Sequence, residues 1–184
     1  NTTIVRADYL LSGNVPFFGH ALGMWGGLSR ELNFNVMFSP RGYLDLAHSE
    51  GQFDHFTRRA NVLSLNGIGA RMVDVEELRR LEPALSIGSA APVPVLGGLV
   101  QDGAGTARHD AVAWGYARGA ARLGVDIVQG CEVLGFDIEG NSLRGVKTSA
   151  GSIRTDTAVV SVAGNSSRVA EMAGLELPIE SYAV

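Results

Sequence analysis

Cysteine is nearly missing: Cys131 is the only one in 184 residues. No internal disulfide framework and no cysteine-based metal cluster can form, and a reducing, cytoplasmic setting is expected. Charge of either sign is sparse as well. Asp, Glu, Lys and Arg make up 18% of the chain, are dispersed, and leave a net charge of −4 with no basic stripe, so nucleic acid is not an expected partner. No apolar run approaches the ~18 residues of a membrane span, and no secretory leader is visible; a membrane role is not expected. Phosphate-cradling loops are also lacking. Gly103-Ala104-Gly105 is a bare Gly-x-Gly, without the third glycine of a dinucleotide fingerprint or the Gly-Lys-Ser/Thr of a P-loop. The chain starts Asn1-Thr2-Thr3 without methionine and stops at Ala183-Val184 in a strand-like run.

What is present is a globular composition, 46% hydrophobic over a length that supports one ordinary core. Its most informative stretch is Gly103–Val128. Small residues lead to Thr106, then Ala107-Arg108-His109-Asp110, then a patterned run to Leu123-Gly124. Thr106 or Asp110 suits a helix start, since a short side-chain oxygen satisfies free backbone N–H groups there. Val112, Trp114 and Tyr116, interleaved with alanines, read as one broad buried face. Gly124 reads as the stop, and Val125–Val128 as a following strand. His109 thus stands at a helix start behind a glycine-rich turn. By residue type alone it is a solvated or hydrogen-bonded side chain.

Along the rest of the chain, Asn1–Tyr9 holds an extended run broken by Arg6. Val15–Leu32 reads as a helix with Phe17, Phe18, Ala21, Leu22, Trp25, Leu28 and Leu32 inward. Val36–Ser39 and Tyr43–Ala47 read as a hairpin around Pro40-Arg41-Gly42. Ser49 caps a helix over Glu50–Leu65, Ala70–Val73 is a strand, and Asp74 caps Val75–Leu81. Pro92–Val100, with Gly97-Gly98, reads as a strand approaching something closely. His20, His48 and His55 are structural or solvent-facing, because His48 and His55 lack a metal-ligand spacing. A meander follows around Val133, with strands at Leu143–Thr148 and Gly151–Arg154. Thr157–Gly164 reads as a buried strand feeding a helix near Ser166-Ser167, a layout that brings a cofactor to backbone and to a helix N-terminus.

Three of these stretches carry a resemblance: Asn1–Tyr9, Gly103–Arg118 and Val125–Val133. The run Gly-Thr-Ala-Arg-His-Asp-Ala-Val-Ala-Trp-Gly-Tyr-Ala-Arg, continued by Arg-Leu-Gly-Val-Asp-Ile-Val-Gln-Gly-Cys-Glu-Val, is similar to the beta subunits of heterotetrameric sarcosine oxidases. These belong to the wider group of amine-oxidising flavoenzymes. The resemblance implies a mixed α/β fold: a partial FAD/NAD(P)-binding fold with part of an antiparallel substrate domain. It is expected to form one interrupted domain over residues 1–184. Residues 1–34 and 105–175 belong mainly to the FAD-binding part, and 35–104 and 176–184 to the substrate part. The dinucleotide-binding unit is expected before Asn1, so the chain by itself is expected to hold FAD poorly and to be inactive.

The resemblance also implies site residues. His109 matches the histidine that carries covalently attached FMN, and Arg108 beside it could counter the FMN phosphate or simply be exposed. Thr2 and Thr3 match a turn lying against non-covalent FAD. Arg6 matches an arginine facing the substrate pocket, and its planar fork suits a carboxylate. Val133 matches a residue whose backbone meets the adenine of FAD, and Ala163 and Gly164 match a strand-end cofactor motif. The implied reaction is oxidative demethylation of sarcosine to glycine, with formaldehyde or methylene-folate and hydrogen peroxide as the other products. The implied partners are sarcosine, oxygen, tetrahydrofolate through a partner subunit, and alpha, gamma and delta subunits. Two alternatives remain at this point. One is an FAD-only N-methyl amine or dimethylglycine-type dehydrogenase, which would not need His109. The other is a non-catalytic, partner-binding subunit.

Overall fold

A computed structural model describes residues 3–87 and 91–180. The chain divides into two compact units, Asn1–Val125 and Asp126–Val184.

In the first unit a short strand β1 (Ile4–Val5) is followed by helix α1 (Val15–Glu31), strand β2 (Tyr43–Ala47), helix α2 (Glu50–Leu65), strand β3 (Arg71–Val73) and helix α3 (Val75–Leu81). Strand β4 (Gly97–Gln101), strand β5 (Gly105–Thr106) and helix α4 (His109–Arg122) complete it. The helix starts follow local chemistry. Pro16 sits in the first turn of α1, where a missing N–H costs nothing. The Ser49 hydroxyl accepts from the Gln52 N–H at 3.2 Å and the Asp74 carboxylate from the Glu77 N–H at 2.8 Å, each cap worth about 1 kcal/mol.

Strand β4 is the centre of an antiparallel sheet ordered β2-β4-β3, and all five of its residues are buried. Its two glycines fit the expectation of a close approach. A Cβ at Gly97 would lie 2.6 Å from both the Phe53 ring and the Val73 carbonyl, and one at Gly98 would lie 2.6 Å from the Asp45 carbonyl. Val73, Leu78 and Val100 form the core over this sheet, with Leu44, Leu46, Ile87 and Val95 against it. A second cluster, Leu28, Leu32 and Val36, gathers Trp25, Phe34, Phe38 and Val112 and joins α1 to α4.

Several expectations fail here for identifiable reasons. Val36–Ser39 forms no hairpin with β2: Met37 takes a left-handed φ of 55°, its N–H is held by the Asn35 side chain at 2.8 Å, and Ser39 makes only an isolated bridge to Thr106. β2 pairs with β4 instead. On α4 the buried residue is Gly115, whose Cβ would stand 3.2 Å from Leu32 and Phe34. Small residues let this helix lie close, and Trp114 and Tyr116, on either side of that contact, are 59% and 52% exposed. Phe17 likewise faces outward at 70% exposure. The residue capping α4 is Arg108, with no side-chain cap bond; Thr106 is spent in β5, and Asp110 lies in the first turn.

The second unit holds an antiparallel meander, β6 (Val133–Glu139), β7 (Ser142–Thr148) and β8 (Gly151–Arg154), in the order β6-β7-β8. A single 3-10 turn at Ala163–Asn165 leads into helix α5 (Ser166–Glu171). Val125–Val128 and Thr157–Gly164 are not strands; both are exposed and neither has a strand neighbour among the described residues. An apolar extended segment becomes a strand only where a neighbour takes its backbone N–H and C=O groups.

Candidate functional site

The first unit brings two of the distant motifs together. β1 and β5 pair antiparallel, Ile4 opposite Thr106 and Val5 opposite Gly105, and the Ala107 N–H donates to the Thr3 carbonyl at 2.9 Å. Arg6 therefore leaves one end of this ladder while Arg108 and His109 follow from its partner strand. Thr3 enters β1 with a left-handed φ of 60°, a conformation costly for a threonine and found where a surrounding structure enforces it. Thr2 lies outside the described residues.

Two clefts flank this ladder. One, of about 310 Å³, is lined by Thr3, Ile4, Val5, Trp25, Ala107, His109, Val112 and Ala113. The other, of about 220 Å³, is lined by Ile4, Val5, Arg6, Tyr9, Phe18, Ala21, Leu22 and Trp25. Ile4, Val5 and Trp25 line both. His109 is exposed as the first residue of α4 and makes no side-chain hydrogen bond among the described residues. An exposed, unpartnered imidazole beside apolar walls fits attachment of a flat aromatic ring such as a flavin. Arg108 grips Asp110 in a fork, Nε to Oδ1 at 2.9 Å and Nη2 to Oδ2 at 2.6 Å. That hydrogen bonding pulls the Asp110 carboxyl down to about 2. Nη1 of Arg108 takes no part in this fork.

Arg6 is more enclosed. Its Nη1 donates to Asp8 at 2.6 Å, and its guanidinium carbon lies 4.9 Å from the Tyr43 ring centre and 5.5 Å from that of Tyr9. Tyr9 itself stacks on Phe18 at 3.9 Å. Burial opposes the Arg6 charge, yet Asp8 and the two tyrosines outweigh it and hold its pKa above the ordinary value. Asp8 is fully buried and is reached by Arg59 at 3.6 Å; Arg59 also pairs with Asp45. Burial pushes the Asp8 carboxyl up, against the pull of Arg6 and Arg59. The Tyr43 hydroxyl donates to Asp45 at 2.7 Å. Gln101, buried on β4, accepts from the Ala7 N–H at 3.0 Å and ties this loop to the sheet.

Burial and then the bond to Asp45 push the Tyr43 phenol up to about 12. A proton held more tightly in the folded state than at the ordinary value near 10 stabilises the fold fully below that value, and this contribution is lost as pH rises through about 12. In an alkaline absorbance titration, the difference between wild type and Tyr43→Phe should contain one phenol ionising near 12; a difference centred near 10 would show the phenol exposed.

The remaining expected positions lie in the second unit. Val133 opens β6, opposite Thr148. Ala163 and Gly164 sit in the 3-10 turn, with Ala163 at a left-handed φ of 46°. Asp8, Tyr43, Asp45, Arg59 and Gln101 were not anticipated. Only Asp8 had a local signal, since residues two apart on extended chain share a face; the others meet it through sheet pairing. Among the described residues no group of His, Cys, Asp or Glu could hold a metal, and no helix is long and apolar enough to cross a membrane.

The architecture is mixed α/β with antiparallel sheets, and the β1–β5 ladder leads on one strand into Arg6 and on the other toward the exposed His109. The chain belongs to the family described as FAD dependent oxidoreductase, which matches residues 1–184. It is 50% identical over 182 residues to the sarcosine oxidase subunit beta of Rhizobium meliloti (strain 1021), covering 99% of this chain and 44% of that protein. It is 41% identical over 182 residues to that of Arthrobacter sp, covering 99% and 45%. The chain thus spans less than half the length of these curated relatives. Among solved structures, L-proline dehydrogenase from P. horikoshii superposes with a TM-score of 0.85 at 26% identity, over 93% of this chain and 44% of that one. Glycine oxidase from Geobacillus kaustophilus shares the fold at a TM-score of 0.82 and 19% identity, over 95% and 47%.

Proposed function

We propose that this chain is part of a sarcosine oxidase beta subunit that oxidises sarcosine in the cytoplasm, in a heterotetramer with alpha, gamma and delta subunits. When bound, FAD supplies the two-electron acceptor for the amine and FMN on His109 the onward carrier to oxygen. Sarcosine loses a hydride from its N-methyl carbon. The imine is hydrolysed to glycine and formaldehyde, or its one-carbon unit passes to tetrahydrofolate, and oxygen becomes hydrogen peroxide.

The residues of this chain do the holding. Arg6 takes the sarcosine carboxylate through the donors that Asp8 leaves unused. The apolar lining of its cleft excludes water around the N-methyl group. His109 tethers FMN on the other side of the β1–β5 ladder, with the Arg108 Nη1 group toward its phosphate. Thr2, Thr3, Val133, Ala163 and Gly164 contribute to FAD binding. We assign residues 1–34 and 105–175 mainly to the FAD-binding part and 35–104 and 176–184 mainly to the substrate part. Exposed Trp114 and Tyr116 are available to partner subunits. The observation that supports the reading is the β1–β5 ladder itself, because Arg6 lines one and His109 the other of two clefts that share Ile4, Val5 and Trp25 as a wall.

The test is steady-state oxidation of sarcosine by the full-length subunit assembled with its partners, wild type against Arg6→Ala. Losing a bidentate, charge-assisted pair should raise KM on the order of 100-fold, equivalent to about 3 kcal/mol. An unchanged KM would remove Arg6 from the substrate site. Turnover of dimethylglycine in preference to sarcosine, without FMN, would select the FAD-only dehydrogenase.

A further inference from the structure

The Arg6 side chain is one member of a closed ring drawn from separate parts of the first unit. Asp8, two residues on, takes one Nη1 hydrogen at 2.6 Å. Arg59 of α2 reaches the other Asp8 oxygen at 3.6 Å and pairs with Asp45 of β2. Asp45 accepts from the Tyr43 hydroxyl at 2.7 Å, and the Tyr43 ring returns to the Arg6 guanidinium at 4.9 Å. The groups facing Asp8 are thus Arg6 and Arg59, with Asp45, Tyr43 and Tyr9 beyond them. Two arginines and two aspartates make the ring neutral before any substrate arrives.

From this geometry we propose that Asp8 is the positioning residue of Arg6: it anchors one corner of the guanidinium so that the rest is presented to a single substrate carboxylate. The inference rests on the reading of Arg6 as the carboxylate clamp. A free arginine side chain samples many rotamers, and holding it in advance removes that ordering cost from binding. Stacking between Tyr43 and Tyr9 sets the plane of the fork; Asp8 sets its rotation within that plane. Arg59, itself paired with Asp45, adds an ionic contact at 3.6 Å to the second Asp8 oxygen, which has no hydrogen bond of its own among the described residues. Arg6 keeps its side chain 33% exposed while that of Asp8 is fully buried. Substrate can therefore reach the arginine but not its anchor. The Arg6 donors that Asp8 leaves free suffice for one carboxylate, the number a glycine-type amino acid carries.

The test uses the full-length holoenzyme, with acetate as the probe ligand followed by its perturbation of the flavin absorbance, and with sarcosine and its uncharged amide as paired substrates. Asp8→Ala should weaken acetate up to about tenfold, the cost of immobilising one rotamer-rich side chain on binding. Asp8→Asn keeps an acceptor for Nη1 and should restore most of the affinity. The kcat/KM for the amide should fall less than that for sarcosine in either variant. If Asp8→Ala yields no folded flavoprotein, Asp8→Ala with Arg59→Met removes the stranded buried cation and takes its place. Acetate sensitive to Arg6→Ala but indifferent to the loss of Asp8 overturns this proposal alone. Equal losses in Asp8→Ala and Asp8→Asn, or parallel losses on sarcosine and the amide, also overturn it. Acetate indifferent to Arg6→Ala overturns the clamp and this proposal with it.

Discussion

Replacing His109 by Asn should abolish covalent FMN. In the wild-type subunit, purified with its partners and denatured in acid, the peptide spanning Gly103–Arg118 should carry an FMN-sized added mass on His109. In His109→Asn the same peptide should be unmodified, while non-covalent FAD remains. The effect is all-or-none because a covalent tether needs the ring nitrogen itself, and asparagine offers only a weakly nucleophilic amide. The fold should not suffer. His109 is exposed, makes no side-chain hydrogen bond among the described residues, and follows the capping residue of α4; exposed substitutions of that kind usually change stability by about 0.5 kcal/mol or less. Loss of the adduct is therefore separable from unfolding by far-ultraviolet circular dichroism of the same sample. An unmodified wild-type peptide from active flavoprotein would sink the two-flavin reading and leave His109 a helix-start side chain.

Local chemistry made most of the helices legible. Ser49 and Asp74 sit where their caps are needed, and α2 and α3 begin at the expected residues. The β-meander after Val133 was readable because each turn has its own polar or glycine signal and each strand pairs with the next. The errors over strands share one cause. Val36–Ser39, Val125–Val128 and Thr157–Gly164 have strand-like residues, but pairing is decided by what lies alongside, and sequence periodicity carries no information on that. On α4 the apolar count pointed to Trp114 and Tyr116 as the buried face, yet Gly115 makes the contact because helices approach most closely over small residues. At the site, Arg6 and His109 were found through resemblance to known sequences. That their segments lie on one ladder depends on β1 pairing with β5, with Ile4 opposite Thr106. Asp8 was one short step from Arg6, but its second partner Arg59, with the Asp45 that Arg59 also pairs, could emerge only once α2 was laid against the sheet.

That dependence makes Gly105 the position where a small change should do the greatest structural damage. It lies in β5 opposite Val5. A Cβ built there would run into the Ser39 carbonyl oxygen, with the Ser39 carbonyl carbon and the Pro40 Cα both at 2.8 Å. These obstacles are backbone, so no side-chain rotation relieves them. Gly105→Ala must displace either β5 or the Ser39–Pro40 segment, and with it the paired bonds from the Ser39 N–H to the Thr106 carbonyl at 2.8 Å and from the Thr106 N–H to the Ser39 carbonyl at 3.1 Å. Overpacking together with loss of buried backbone pairing should cost about 3 kcal/mol. The displacement should also pull Thr3–Arg6 away from the segment that leads to His109. In the assembled enzyme the variant is expected to melt several degrees lower, to bind acetate more weakly and to carry less FMN on His109. Gly103→Ala is the control. A Cβ there meets nothing nearer than a Leu22 methyl at 3.9 Å, so it should be tolerated within about 0.5 kcal/mol. If both variants behaved like wild type, the β1–β5 ladder would be too pliable to hold Arg6 and His109 in a fixed relation. The two groups would then have to be positioned separately, Arg6 by its ring of ion pairs and His109 by α4.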